Sequence, residues 1–100
     1  MSWILKNEEL EDRLKDRPLS NIVETINRDL YYVDSVKLSY AELADWPYET
    51  MAFRAYRNSS GVVCVDDWDE VACRIYKTEE EMIAGHKHYC EHLEELLYER

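Results

Sequence analysis

Glycine and proline are almost missing from this chain, with two of each among 100 residues. So few chain-loosening residues exclude a long flexible linker. Two glycines also cannot build a glycine-rich phosphate loop. Cysteine is scarce and odd in number: Cys64, Cys73 and Cys90. The start, MSWILKNEELEDR, turns acidic after one short apolar run and has no small-residue cleavage pattern. These features predict a cytosolic protein with reduced thiols rather than a disulfide framework. No apolar run approaches the roughly 20 residues that span a bilayer. Positive charge is also short, with 12 Lys and Arg against 22 Asp and Glu, for a net charge of −10.

What is present fits one domain over residues 1–100, with 46% apolar residues to build its core. The acidity is uneven, since residues 66–100 hold eleven acids and four bases. Such a surface repels nucleic-acid phosphates and anionic membranes. The same electrostatics favour a basic protein partner, although acidity also serves solubility alone.

Residues 7–16, NEELEDRLKD, read as a charged helix that Pro18 ends. Ser20 suits a helix cap, and Ile22, Val23, Ile26 and Leu30 fall at helical spacing, so 20–32 is predicted as a second helix. The stretch YYVDSVKLSY, 31–40, fits either the end of that helix or a short strand, and 39–45 a helical turn. From Tyr48 the period changes. Met51, Phe53 and Ala55 alternate with Thr50, Ala52 and Arg54, which predicts a half-buried strand. NSSG follows as a turn, with Gly61 able to take a positive φ. VVCV opens a second strand, DDWD interrupts or bulges it, and EVACRIY forms a third run. A two-residue turn at Trp68–Asp69 would set Cys64 opposite Cys73, and a four-residue turn would set it opposite Val71. Thr78 and Glu81 match a capping box, and three glutamates suit the positive end of the helix dipole, so a helix is predicted over 79–98. The resulting fold class is α+β. A small antiparallel sheet of about 48–77 packs against that long C-terminal helix and the N-terminal helices.

The segment GHKHYCEH, 85–92, holds all three histidines and Cys90. At about 100° per residue the apolar stripe is Met82, Ile83, Tyr89, Cys90, Leu93, Leu96 and Leu97, with His86 near its middle. His88 and His92 fall on other faces. The histidines therefore do not converge, although His86 and Cys90 could meet Cys73 or Cys64 as a zinc site. His88 and His92 could instead hold a surface ion with acids from elsewhere. Against this, His86 fits a core histidine bonded to a buried polar group, and the cysteines fit small apolar filler. No C-x-x-C pair is present, so no metal or other cofactor is assigned. Gly85, costly in mid-helix, points to a close approach between helix and sheet. No thiol sits in an electropositive setting and no carboxylate pair is singled out, so no catalytic residue is assigned and a non-enzymatic protein is expected. The aromatics Tyr31, Tyr32, Tyr40, Trp46 and Tyr48 read as core and interface residues.

Residues 48–92 resemble a family of small phage and prophage accessory proteins with the approximate pattern ETM-x-F, D-W, Y-x-T-E-E-E and G-H. The positions that carry this are Glu49, Thr50, Met51 and Phe53; Asp67 and Trp68; Tyr76 and Thr78 to Glu81; and Gly85 with His86. The likeness covers about half of the chain. It departs at Met82, where alanine is usual, and over the N-terminal half. The family has no settled activity. The resemblance implies a phage-encoded protein of the host-cell cytoplasm. It makes inhibition of a host defence protein, in the manner of anti-CRISPR proteins that occupy nucleic-acid channels, the leading expectation. The partner-binding residues predicted are Asp66, Asp67, Asp69 and Glu70, then Glu91, Glu94, Glu95 and Glu99. The alternatives are a zinc-binding protein built on Cys73, His86 and Cys90, and a homodimeric virion or replication accessory protein.

Overall fold

The computed structural model describes residues 19–38 and 45–97. Four strands, β1 (Ser20–Glu24), β2 (Leu30–Lys37), β3 (Tyr48–Arg57) and β4 (Val63–Tyr76), form one antiparallel sheet in the order β1-β2-β3-β4. Helix α1 (Glu79–Glu91) and a single turn, α2 (Leu93–Leu96), follow. The class is therefore α+β.

The helix expected over 20–32 is instead a β-hairpin. Ile22 and Val23 pair with Tyr32 and Tyr31, and β2 supplies further β-branched positions at Val33 and Val36. Thr25 N–H donates to the Asp29 carbonyl and Arg28 N–H to the Thr25 carbonyl, while Arg28 takes a left-handed φ of 66°. Ile26, which completed the apparent helical spacing, sits in this turn and is 85% exposed. The helix expected over 7–16 and most of the turn expected over 39–45 lie outside the described residues.

Gly61 takes φ 82° in the NSSG turn, where Asn58 N–H donates to the Val62 carbonyl. DDWD bulges its strand, one of the two outcomes expected of it, and is not a turn, because 63–76 form one strand of 14 residues. Neither expected pairing of the cysteines occurs: Cys64 lies opposite Tyr56 and Cys73 opposite Met51.

Both faces of the sheet carry core, so β3 is not half-buried at its centre. Toward the helix, Tyr31, Val33, Ala52, Val71 and Ala72 meet Tyr89 and Leu93. On the other face Tyr32, Phe53, Val63 and Val65 form a second cluster. Trp68 returns over it, edge-on to Phe53 with ring centres 5.0 Å apart. Each valine, leucine or phenylalanine side chain fully buried in this way contributes about 1.5–3 kcal/mol.

The capping box forms as expected: Glu81 N–H donates to Thr78 Oγ1, and Thr78 N–H donates to Glu81 Oε1. Gly85 is explained by proximity, since a Cβ there would lie 2.3 Å from Cε1 and from Oη of the buried Tyr76. The long helix expected over 79–98 is not continuous. His92 leaves helical geometry at φ −129° and ψ 30°, and Leu97 is extended. The break brings Leu93 into the core and packs Leu96 and Leu97 against it.

Candidate functional site

The predicted partner-binding carboxylates fall into two groups. Asp66, Asp67, Asp69 and Glu70 are all exposed on β4, an edge strand. They occupy an irregularity: between Phe53 opposite Glu70 and Ala55 opposite Val65, two steps of β3 are matched by five of β4. Of the surplus residues the three aspartates stand exposed, while Trp68 turns back onto Phe53. Asp67 organises them, since its Oδ1 accepts from Asp69 N–H at 2.8 Å. No basic side chain among the described residues lies within ion-pair distance of any of the four.

Glu91, Glu94 and Glu95 are exposed at the other edge. Helix α1 starts just past the end of β4 and ends over β1, where Glu94 Oε1 accepts from Ile26 N–H at 2.8 Å. Glu95 lies 3.8 Å from His92 Nδ1. Three strand spacings, on the order of 14 Å, separate β1 from β4. The structure thus does not gather the two acidic groups into one patch. Glu99 lies outside the described residues.

Cys73, His86 and Cys90 do not converge. Cys73 pairs with Met51, a residue of the second cluster, and its thiol faces Glu49 Oε2 at 3.7 Å, on the face away from α1. Burial pushes this thiol up to about 11, aided by the negative charges of Glu49 and Glu70. Cys90 Sγ lies 3.9 Å from Asn21 Oδ1, and burial raises its pKa as well. His88 and His92 do stack side by side, with ring centres 4.8 Å apart. Among the described residues no group of three or more His, Cys, Asp or Glu side chains could hold a metal ion.

His86 is buried and engaged at both nitrogens. Nδ1 lies 2.6 Å from Ser35 Oγ and Nε2 2.7 Å from Asn21 Oδ1. Ser35 Oγ in turn meets Thr50 Oγ1. With the imidazole neutral and the Asn21 oxygen facing Nε2, one proton arrangement satisfies this line. Nε2–H donates to the Asn21 oxygen, the Ser35 hydroxyl donates to Nδ1, and the Thr50 hydroxyl donates to Ser35. Burial lowers the His86 pKa, against an opposing pull from the Asp34 carboxylate. A Ser–His–Asn grouping invites comparison with nucleophilic catalysts. Here Ser35 is 8% and His86 5% exposed, and the serine oxygen is shared with Thr50. The line instead ties α1 to β1, β2 and β3. A core histidine bonded to a buried polar group agrees with the sequence reading; the partners themselves are not legible there, because Asn21 and Ser35 are 65 and 51 residues from His86. The single legible signal was a histidine amid an apolar helical stripe.

No helix among the described residues is long and apolar enough to cross a membrane. No protein-family model matches the chain, and no curated protein or solved structure matches it either.

Proposed function

We propose that this chain is a non-enzymatic binding protein that presents the bulged edge of β4 to a basic surface on another protein. The observation that carries the reading is the set of four exposed, ion-pair-free carboxylates, Asp66, Asp67, Asp69 and Glu70, on one short stretch of edge strand. Carboxylates held at strand spacing can replace phosphates in a basic groove and speed encounter with it. The resemblance to phage accessory proteins supports a host-cell cytoplasmic setting and, as target, a nucleic-acid-binding defence protein. A net charge of −10 speaks against contact with nucleic acid itself.

The test is capture from host lysate by wild type and by an Asp66→Lys, Asp67→Lys, Asp69→Lys variant with an unchanged far-ultraviolet spectrum. A basic protein is expected on the wild type at low salt, released near 1 M salt, where the screening length falls to about 3 Å. The variant is expected to retain none. Equal capture by the variant would sink the assignment of the site.

A further inference from the structure

The edge opposite the β4 carboxylates has a different construction. Thr25 N–H donates to the Asp29 carbonyl, and Ser35 N–H donates to the Leu19 carbonyl. Both bonds lie in the β1–β2 hairpin. Because hydrogen-bonded pairs alternate in an antiparallel ladder, residues 19, 21, 23 and 25 turn their backbone groups toward β2. Ile22 and Glu24 must turn theirs outward, and among the described residues β1 has no strand on that side. Ile26, next in this outward series, already has a stand-in partner: the Glu94 carboxylate takes its N–H. Beside these groups runs a groove between β1 and the helical segment. It comprises a cavity of about 240 Å3 bounded by Thr25, His92, Leu93, Glu94 and Glu95, and one of about 480 Å3 bounded by Asn21, Ile22, His86 and Lys87. Val23, Glu24, Cys90 and Glu91 line both, so the two lie side by side along β1.

We propose that this groove takes an extended, basic peptide segment of another protein, which adds as a fifth strand to β1. The backbone of Ile22 and Glu24 supplies the pairing groups. Val23, Cys90 and Leu93 supply an apolar floor, and four carboxylates, Glu24, Glu91, Glu94 and Glu95, meet the peptide's positive side chains, with Lys87 the single opposing charge among the groove residues. A second copy of this chain is a poor occupant, because it would bring another −10 against the same carboxylates. The inference rests on the reading of the chain as a binding protein, but uses the edge that the β4 carboxylates do not.

The probe is an acetylated, amidated hexapeptide alternating lysine and valine, followed by the amide spectrum of the isotope-labelled protein. Saturable binding is expected, with the largest shifts at Ile22 and Glu24. Ile22→Pro removes one outward N–H at a position where an edge strand accepts proline, and should weaken binding by about tenfold. The same peptide N-methylated at alternate residues should also lose its affinity, which covers the case of a poorly folded proline variant. The Asp66, Asp67, Asp69 triple variant should bind the peptide as wild type does, so failure at one edge is distinct from failure at the other. The proposal is overturned if no saturable binding occurs, if the methylated peptide or a glutamate–valine peptide binds equally well, or if the shifts fall on β4. Self-association of the chain through the Ile22 edge without peptide would also overturn it.

Discussion

Replacing Gly85 by alanine sets two effects of opposite sign against each other. Alanine gains up to about 1 kcal/mol in helix propensity. Its Cβ, however, would lie 2.3 Å from Tyr76 Cε1 and Oη and 2.4 Å from Cζ, where carbon contacts favour about 3.5–4.0 Å. Relief requires a shift of more than an ångström by a ring that is 4% exposed, or a lift of the helix. Overpacking of this kind costs about 1–3 kcal/mol, and so large a displacement belongs in the upper part of that range. The expected net loss is about 1–2 kcal/mol. In a domain of this size each kilocalorie lowers Tm by about 4–8 °C. Urea and thermal unfolding of Gly85→Ala, Tyr76→Leu and the double variant would measure this. Leucine lacks all three crowding atoms, so in that background Gly85→Ala should become neutral or stabilising. A Gly85→Ala protein more stable than wild type, or one equally destabilised in both backgrounds, would refute the close-approach argument.

Burial holds the His86 pKa below its ordinary value near 6.5, so the unfolded chain binds that proton more readily. Stability from this group is complete above about pH 6.5 and falls as pH drops toward the folded pKa. Unfolding titrations of wild type and His86→Gln should show a steeper acid slope in wild type; parallel curves would exclude His86 as the cause. Trp68 Nε1 is buried without a hydrogen-bond partner, although its ring packs on Phe53 and Tyr32. Trp68→Phe deletes the unsatisfied donor and should stay within about 1 kcal/mol of wild type. Trp68→Ala should lose about 3 kcal/mol or more. Equal denaturant midpoints for the two variants would contradict this.

The parts legible in the sequence were those that local chemistry decides. The Thr78–Glu81 cap, the Gly61 turn and the Gly85 approach each depend on neighbours or on one steric rule. The β1–β2 hairpin is hidden in the sequence because Ile22, Val23, Ile26 and Leu30 match helical spacing by coincidence. Tertiary pairing with β3 then outweighs it. DDWD has the composition of a turn, yet serves as a bulge because Trp68 is drawn back onto Phe53. The acidic positions themselves were readable. Their separation to opposite edges was not, since it depends on the strand order and on the helix crossing the sheet.

The hydrogen-bonded line from Asn21 to Thr50 also bears on how the chain reaches its fold. It joins the first described strand to the last long helix, across 65 residues of sequence. The two hairpins, β1–β2 and β3–β4, rest on short-range closure and can form while later residues are still being added at about 5–20 per second. His86 cannot meet its partners until synthesis has passed the end of β4. Until then Ser35 and Thr50 stand on an uncovered sheet face beside Tyr31 and Val33. During synthesis, docking of the helix by this line must therefore follow completion of all four strands. A chain ending before residue 86 would leave Tyr31, Val33, Ala52, Val71 and Ala72 without the cover of Tyr89 and Leu93.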